Sequence, residues 1–281
     1  MRLMVVGSLH LDVLLHAPHL PALDETVAGS TVDYVFGGKG GNQALAAARL
    51  GASVSFAGRA GSDSFGDILR ETLRSSRIDV SQMQRDTGPS GMSAAIVDSN
   101  GDYGAVIVSA ANLEIEPDPI RLPDDTALVL LQNEVPESVN LAMARKARAQ
   151  GAKVWLNAAP ARALSKKLGE LVDLIIVNRV EESALTEIST PAEILTTLGP
   201  EGVEYCGTRY PGHKVKVIST HGAGDTFVGA LATRVTFGDD IQSAIPFAQG
   251  AAALHISTPR EKRPDNSAAK IASFLAQCSQ Q

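Results

Sequence analysis

Short runs of leucine and β-branched residues alternate with alanine-rich stretches along most of this chain, and no other feature restricts the fold as much. LMVVG precedes NQALAAARL, and ASVSFAG precedes FGDILRETLRSS; the apolar runs resume as ALVLLQ at 127–132, KVWLN at 153–157, LIIVN at 174–178 and AEILTTLG at 192–199. Helical patterns over 136–150 and 163–171 separate the middle members. Strands spaced by helices build a parallel sheet, because a parallel neighbour is reached only through a crossover of a dozen or more residues. The runs are nearly continuously apolar, so both faces of that sheet are covered. The predicted class is α/β, with a mostly parallel central sheet between helical layers.

Two segments break the rhythm. Residues 12–36 and 90–111 alternate apolar and polar side chains, and the second contains the turn signal DSNGD. Each reads as an antiparallel hairpin, and together they form a small β lid standing off the main body. The whole of 1–281 is therefore read as one α/β domain carrying two lid insertions. The Pro-, Lys- and Arg-rich TPREKRPDNS at 258–267 reads as a surface loop before a last amphipathic helix.

Composition narrows the partners. A chain of 281 residues, 44% of them hydrophobic, has material for a large core. Its formal net charge of −6 argues against nucleic acid or an anionic membrane surface as the main partner. Cys206 and Cys278 lie far apart without metal-type spacing, so neither a disulfide framework nor a structural zinc is expected. The apolar run in MRLMVVGSLHLD is too short for a secretory h-region, and no run approaches the ~20 residues of a membrane span. The expected compartment is the cytosol.

Chemistry concentrates in STHGAGDTFVGAL, Ser219 to Leu231. Gly222, Ala223 and Gly224 form a small-residue turn at the mouth of an apolar helical pattern, and Asp225 stands directly behind it. The first amides of a helix lack intrahelical partners and sit at the positive end of its dipole, so they attract phosphate oxygens. A carboxylate would repel a ligand that is merely held there, but it suits a reaction in which a hydroxyl must lose its proton while attacking phosphorus. Phosphoryl transfer is one reading; an Asp that only caps the helix is the other. A second cluster, FGGKGGNQ at 36–43, presents backbone groups and the Asn42 amide at another helix start, unless it is a glycine turn serving packing alone. It is not a P-loop, since Lys39 is followed by Gly40. Nor is there a dinucleotide fingerprint, since the turn after the first strand reads Gly7, Ser8, Leu9, His10.

In chain order the segments GSLHLD, GGKGGNQALAAARLGA, LLQNEVP, NRVE, TLGPEG and GAGDTFVGAL resemble the ribokinase, or phosphofructokinase-B type, carbohydrate kinases over nearly the whole length. The resemblance implies a ribokinase-like three-layer α/β/α fold and an ATP-dependent kinase acting on a hydroxyl of a free, ribose-like sugar. It implies Asp225 as the base, with the amides of Gly222, Ala223 and Gly224 holding the charge that develops on the phosphoryl group. Asn178 and Glu181 would organise Mg²⁺ through its waters. Asn178, Thr197, Gly199 and Gly202 would line the ATP site. Asp12, His10, Gly38, Lys39, Asn42 and Glu134 would face the sugar. The lid would cover it and would also pair two copies into a homodimer.

Departures from the family pattern qualify these expectations. Ribokinases carry Asn where His10 stands, which leaves the identity of the sugar open. Ser219, Thr220 and His221 replace the usual Asp-Thr-Thr, which argues against activation by a monovalent cation. The span from Asn178 to Thr197 is short, as if one wall of the nucleotide site were trimmed. Gln43 after Asn42 favours a free sugar over a sugar phosphate. Tyr34, Phe36 and Tyr103 in or beside the lid keep a nucleoside kinase as the alternative. A non-catalytic sugar-binding protein would have lost Asp225 or its glycine turn, and both are present.

Overall fold

The computed structural model describes residues 1–100, 102–185 and 190–278. Its centre is an eight-stranded sheet in which Ser53–Ala57, Arg2–Val6, Thr126–Gln132, Lys153–Asn157, Leu174–Asn178 and Glu193–Thr197 lie side by side, all parallel. Register places Val5 between Phe56 on one neighbour and Leu130 on the other. Alternate residues then divide between two cores, because successive strand side chains point to opposite faces. Leu3, Val5, Leu130, Trp155 and Ile176 pack with Leu45, Phe227, Leu231 and Ile245 on one face. Met4, Val6, Val129, Leu131, Val154 and Ile175 pack with Val139, Met143 and Leu168 on the other. This is the expected three-layer α/β/α arrangement.

The sheet ends in a feature that the apolar pattern does not announce. Val203–Tyr205 pairs antiparallel with Glu193–Thr197, and Thr208–Tyr210 pairs antiparallel with Val203–Tyr205. The joining residues Cys206 and Gly207 have φ of 48° and 71°, the left-handed geometry of a two-residue hairpin turn.

The lid consists of Thr31–Gly37, His10–His16, Met92–Val97 and Tyr103–Val108. Both expected hairpins are antiparallel, and they join through a parallel pairing that sets Asp12 opposite Ser93. The lid strand starts at His10, so His10 and Asp12 belong to the lid, and the chain leaves the central sheet after Val6 through the three residues Gly7 to Leu9.

Three helical expectations change. The helix read over 163–171 contracts to Lys166–Gly169, begun by the Ser165 hydroxyl, which accepts from the Leu168 amide at 3.3 Å. The crossover after Asn178 starts as the short helix Arg179–Ser183, and its residues 186–189 lie outside the described residues. The stretch read as a surface loop holds a six-residue 3₁₀ helix, Arg260–Asp265, in which Arg263 is buried; the last helix, Ala268–Cys278, follows as expected. No helix among the described residues is long and apolar enough to cross a membrane.

Candidate active site

Gly222 adopts φ 76°, ψ 8°, a left-handed turn that only glycine takes without strain, and the chain enters the helix Ala223–Thr236 directly from it. Asp225 in the first turn is buried, yet it does not cap its own helix. Instead one carboxylate oxygen accepts from Gln43 Nε2 at 3.0 Å and the other from Asn42 Nδ2 at 3.4 Å. The capping explanation of Asp225 therefore falls. Burial pushes this carboxyl up to about 6, with Glu134 adding to the rise, while Lys39 and the two amide donors oppose it. A carboxylate that holds its proton up to near-neutral pH has the affinity a general base needs.

The amides of the turn are not equivalent. Ala223 N–H turns back to the Thr220 carbonyl at 3.2 Å, whereas those of Gly222 and Gly224 have no acceptor among the described residues. A Cβ added to Gly224 would meet nothing within 4 Å, so the space in front of this helix end is open. It opens into a cavity of about 600 Å³. Thr197, Gly199, Gly202, Ala223 and Gly224 all line it, so three of the four expected ATP-site residues meet the small-residue turn there. Gly202 is obligatory: its φ is 107°, and a Cβ would lie 2.0 Å from the Tyr210 carbonyl oxygen.

Asn178 and Glu181 do not line this cavity. They form a capping box, in which Asn178 Oδ1 accepts from the amides of Val180 and Glu181 at 2.9 Å and Glu181 Oε2 accepts from the Asn178 amide at 2.8 Å. One oxygen of Glu181 stays outside the box. Sequence reading also passed over His213 and Lys214, which line the cavity from the loop after the edge hairpin.

The residues expected to face the sugar gather around Gly38, whose φ of 87° opens the helix Lys39–Arg49. A Cβ on Gly38 would lie 2.8 Å from the Leu9 Cα and the Ser8 carbonyl, so the two turns meet backbone to backbone. Glu134, just beyond the strand Thr126–Gln132, fixes that meeting: one oxygen accepts from the Lys39 amide at 2.8 Å and from the Ser8 hydroxyl at 2.5 Å. Asp12 accepts from Ser93 of the neighbouring lid strand at 2.5 Å. His10 is buried, and its Nε2 has no partner among the described residues. Asn42 joins this group to the Gly222–Gly224 turn through its bond to Asp225.

Gln43 and Gln132 were not foreseen as site residues. Both are fully buried; Gln132 Nε2 donates to Gln43 Oε1 at 2.9 Å, and Gln43 Nε2 in turn donates to Asp225. The available signal was a glutamine at the end of the apolar run LVLLQ and another inside the small-residue segment GGNQALAAA. A buried amide in such surroundings requires a partner.

Comparison with known proteins agrees with this geometry. A sequence profile of pfkB family carbohydrate kinases matches residues 1–266. The Bacillus subtilis ribokinase is 33% identical over 268 residues, covering 90% of this chain and 92% of that protein. The Lactococcus lactis ribokinase is 34% identical over 275 residues, covering 91% and 90% respectively. Among solved structures, Arabidopsis thaliana ribokinase complexed with ribose and ATP superposes with a TM-score of 0.87 at 27% identity, covering 98% of each chain. With the buried acid, the open helix end and the cavity before it already in place, the chain belongs to the pfkB family of carbohydrate kinases and is an ATP-dependent sugar kinase.

Proposed function

We propose that the enzyme phosphorylates a hydroxyl of free ribose or a closely related pentose, with Asp225 as the base. The observation that carries this is Asp225 itself, buried between two amide donors at a helix start whose Gly222 and Gly224 amides are open. The ribokinase relatives and the ribose-bound structural neighbour support the choice of sugar. Asp12, Asn42 and Glu134 supply acceptors and a donor for vicinal hydroxyls, with Gly38 giving the sugar room against backbone, Lys39 adding a cation nearby and His10 offering its unpartnered ring nitrogen. As the hydroxyl oxygen attacks the γ-phosphorus of ATP, its proton passes to the Asp225 carboxylate and ADP leaves. The Gly222 and Gly224 amides hold the charge on the migrating group.

ATP fits the cavity lined by Thr197, Gly199 and Gly202. Mg²⁺ would be held near Asn178 and Glu181. Among the described residues no group of acidic or imidazole side chains forms a cage, and the single outer oxygen of Glu181 suits an ion that keeps most of its waters. Bound there, the ion would neutralise phosphate charge. The lid also supports a homodimer, since Val32, Tyr34, Val106, Ile107 and Val108 on its two outer strands are all exposed. The Tyr103 side chain lies outside the described residues, so that member of the aromatic set bears on neither partner nor substrate.

The test is ATP turnover with a panel of pentoses, hexoses and nucleosides, for the parent and Asp225→Asn. Ribose or a near relative is expected to give the highest kcat/KM. A nucleoside that outperforms every sugar would replace the pentose assignment, and an Asp225→Asn enzyme as fast as the parent would remove Asp225 as base.

A further inference from the structure

The turn that carries the base is held from behind by a residue of the C-terminal segment. Arg263 is 7% exposed, and its guanidinium spends its donors on backbone carbonyls: Nε on Thr258 at 3.1 Å, Nη2 on Ser219 at 3.3 Å and Nη1 on His221 at 3.4 Å. No carboxylate pairs with it among the described residues. His255 Nε2 donates to the same His221 carbonyl at 2.8 Å, and burial pushes that imidazole down to about 4, so the ring is neutral with the proton on Nε2. His255 Nδ1 is then the acceptor for the Thr226 hydroxyl at 3.0 Å, one residue past the base.

A buried cation without a counter-ion is costly unless strong dipoles surround it. Here the dipoles are the carbonyls of Ser219 and His221, whose residues lead into Gly222. The His221 carbonyl shares a peptide plane with the open Gly222 N–H, so holding that carbonyl sets the direction of that amide, and the Ser219 carbonyl anchors the approach to the turn. The cost of burying the charge is thus coupled to the geometry of the phosphoryl-binding turn.

We propose that Arg263 is a positioning residue for phosphoryl transfer: a tethered cation whose guanidinium locks the carbonyls of Ser219 and His221, so that the turn is ordered without any free monovalent cation. It acts through the turn, touching neither sugar nor nucleotide. The inference rests on the kinase reading above, because it concerns the turn on which that reading depends.

The experiment compares the parent with Arg263→Ala and Arg263→Lys. For the parent, rates in sodium, potassium and tetramethylammonium chloride at equal ionic strength are expected to agree within twofold. Arg263→Ala is expected to lose 10-fold or more in kcat with less than threefold change in the sugar KM, and to regain at least a third of the loss on addition of millimolar guanidinium chloride. Arg263→Lys keeps the charge, guards against simple misfolding and is expected to fall between the two. Hydrogen–deuterium exchange of the 219–225 amides reads the brace without any turnover and is expected to quicken in Arg263→Ala while the central strands keep their protection. Unchanged exchange there, an unchanged kcat in a folded Arg263→Ala, or several-fold stimulation of the parent by potassium would each overturn the proposal. Should the parent phosphorylate none of the panel, the kinase reading fails separately, and the exchange data still decide the brace.

Discussion

The molecule uses the same local device twice and finishes it differently. At Gly38 and at Gly222 a left-handed glycine opens a helix, with φ of 87° and 76°. At the first, the protein answers the exposed amides itself: Glu134 accepts from Lys39 N–H, and the Ser8 hydroxyl accepts from Gly40 N–H at 3.4 Å. At the second, the amides of Gly222 and Gly224 are left open among the described residues, and the nearby acid, Asp225, is drawn aside by Asn42 and Gln43. A helix start satisfied by a fixed carboxylate becomes a rigid wall. One left unsatisfied becomes a receptor for charge that arrives only during reaction.

The largest expected departure comes from removing the acid beside the open turn. Asp225→Asn keeps shape and loses the proposed base, so kcat should fall on the order of 10²–10⁴-fold with little change in ATP binding, as measured by steady-state kinetics and nucleotide titration. Next is Glu134→Gln at the closed turn. Replacing an ionised acceptor by a neutral one weakens the hold on Lys39 N–H by ~1.5 kcal/mol or more, which should raise the sugar KM roughly tenfold. The same change removes one of the charges that lift the Asp225 carboxyl.

That coupling shows in pH dependence. Only ionised Asp225 accepts a proton, and its carboxyl is raised to about 6, so kcat/KM should be flat at alkaline pH and fall as pH drops through about 6. Glu134→Gln should move that acid limb to lower pH. A limb that stays in place would break the link between the two turns.

The glycines themselves give the smaller effects. Gly38→Ala combines a positive φ with a Cβ 2.8 Å from the Leu9 Cα, and a loss of ~1–2 kcal/mol or more in unfolding free energy is expected from denaturant titration. Gly224→Ala meets nothing within 4 Å, so its stability should stay within ~0.5 kcal/mol of the parent, and its mark should appear in ATP affinity instead. If Gly224→Ala proved the more destabilising of the two, the distinction between a closed and an open turn would be lost.

Much of this was legible in the order of residues, for identifiable reasons. Strands covered on both faces need long apolar runs, so LMVVG, ALVLLQ, KVWLN and LIIVN declared themselves, and positive-φ turns need glycine, so both clusters stood out. Partnerships between distant residues leave no such mark. Gln43 meets Asp225 across 182 positions, and Arg263 reaches Ser219 across 44, from a stretch whose charge and prolines mimic a solvated loop. The N-x-x-E segment was visible, but the same four residues also spell a capping box, and the structure satisfies that local demand. The edge hairpin escaped because strands of three residues are too short to show a period.

Gly229, in the helix behind Asp225, has consequences for how the protein comes into being. A Cβ there would lie 2.6 Å from the Gln43 carbonyl oxygen and 2.7 Å from the Ala46 methyl, so the two helices that carry Asp225 and its amide partners lie almost in backbone contact. Gln43 on one and Asp225 on the other are 182 positions apart in the chain. A nascent chain therefore cannot bring Asp225 to its amide partners until both helices have been made.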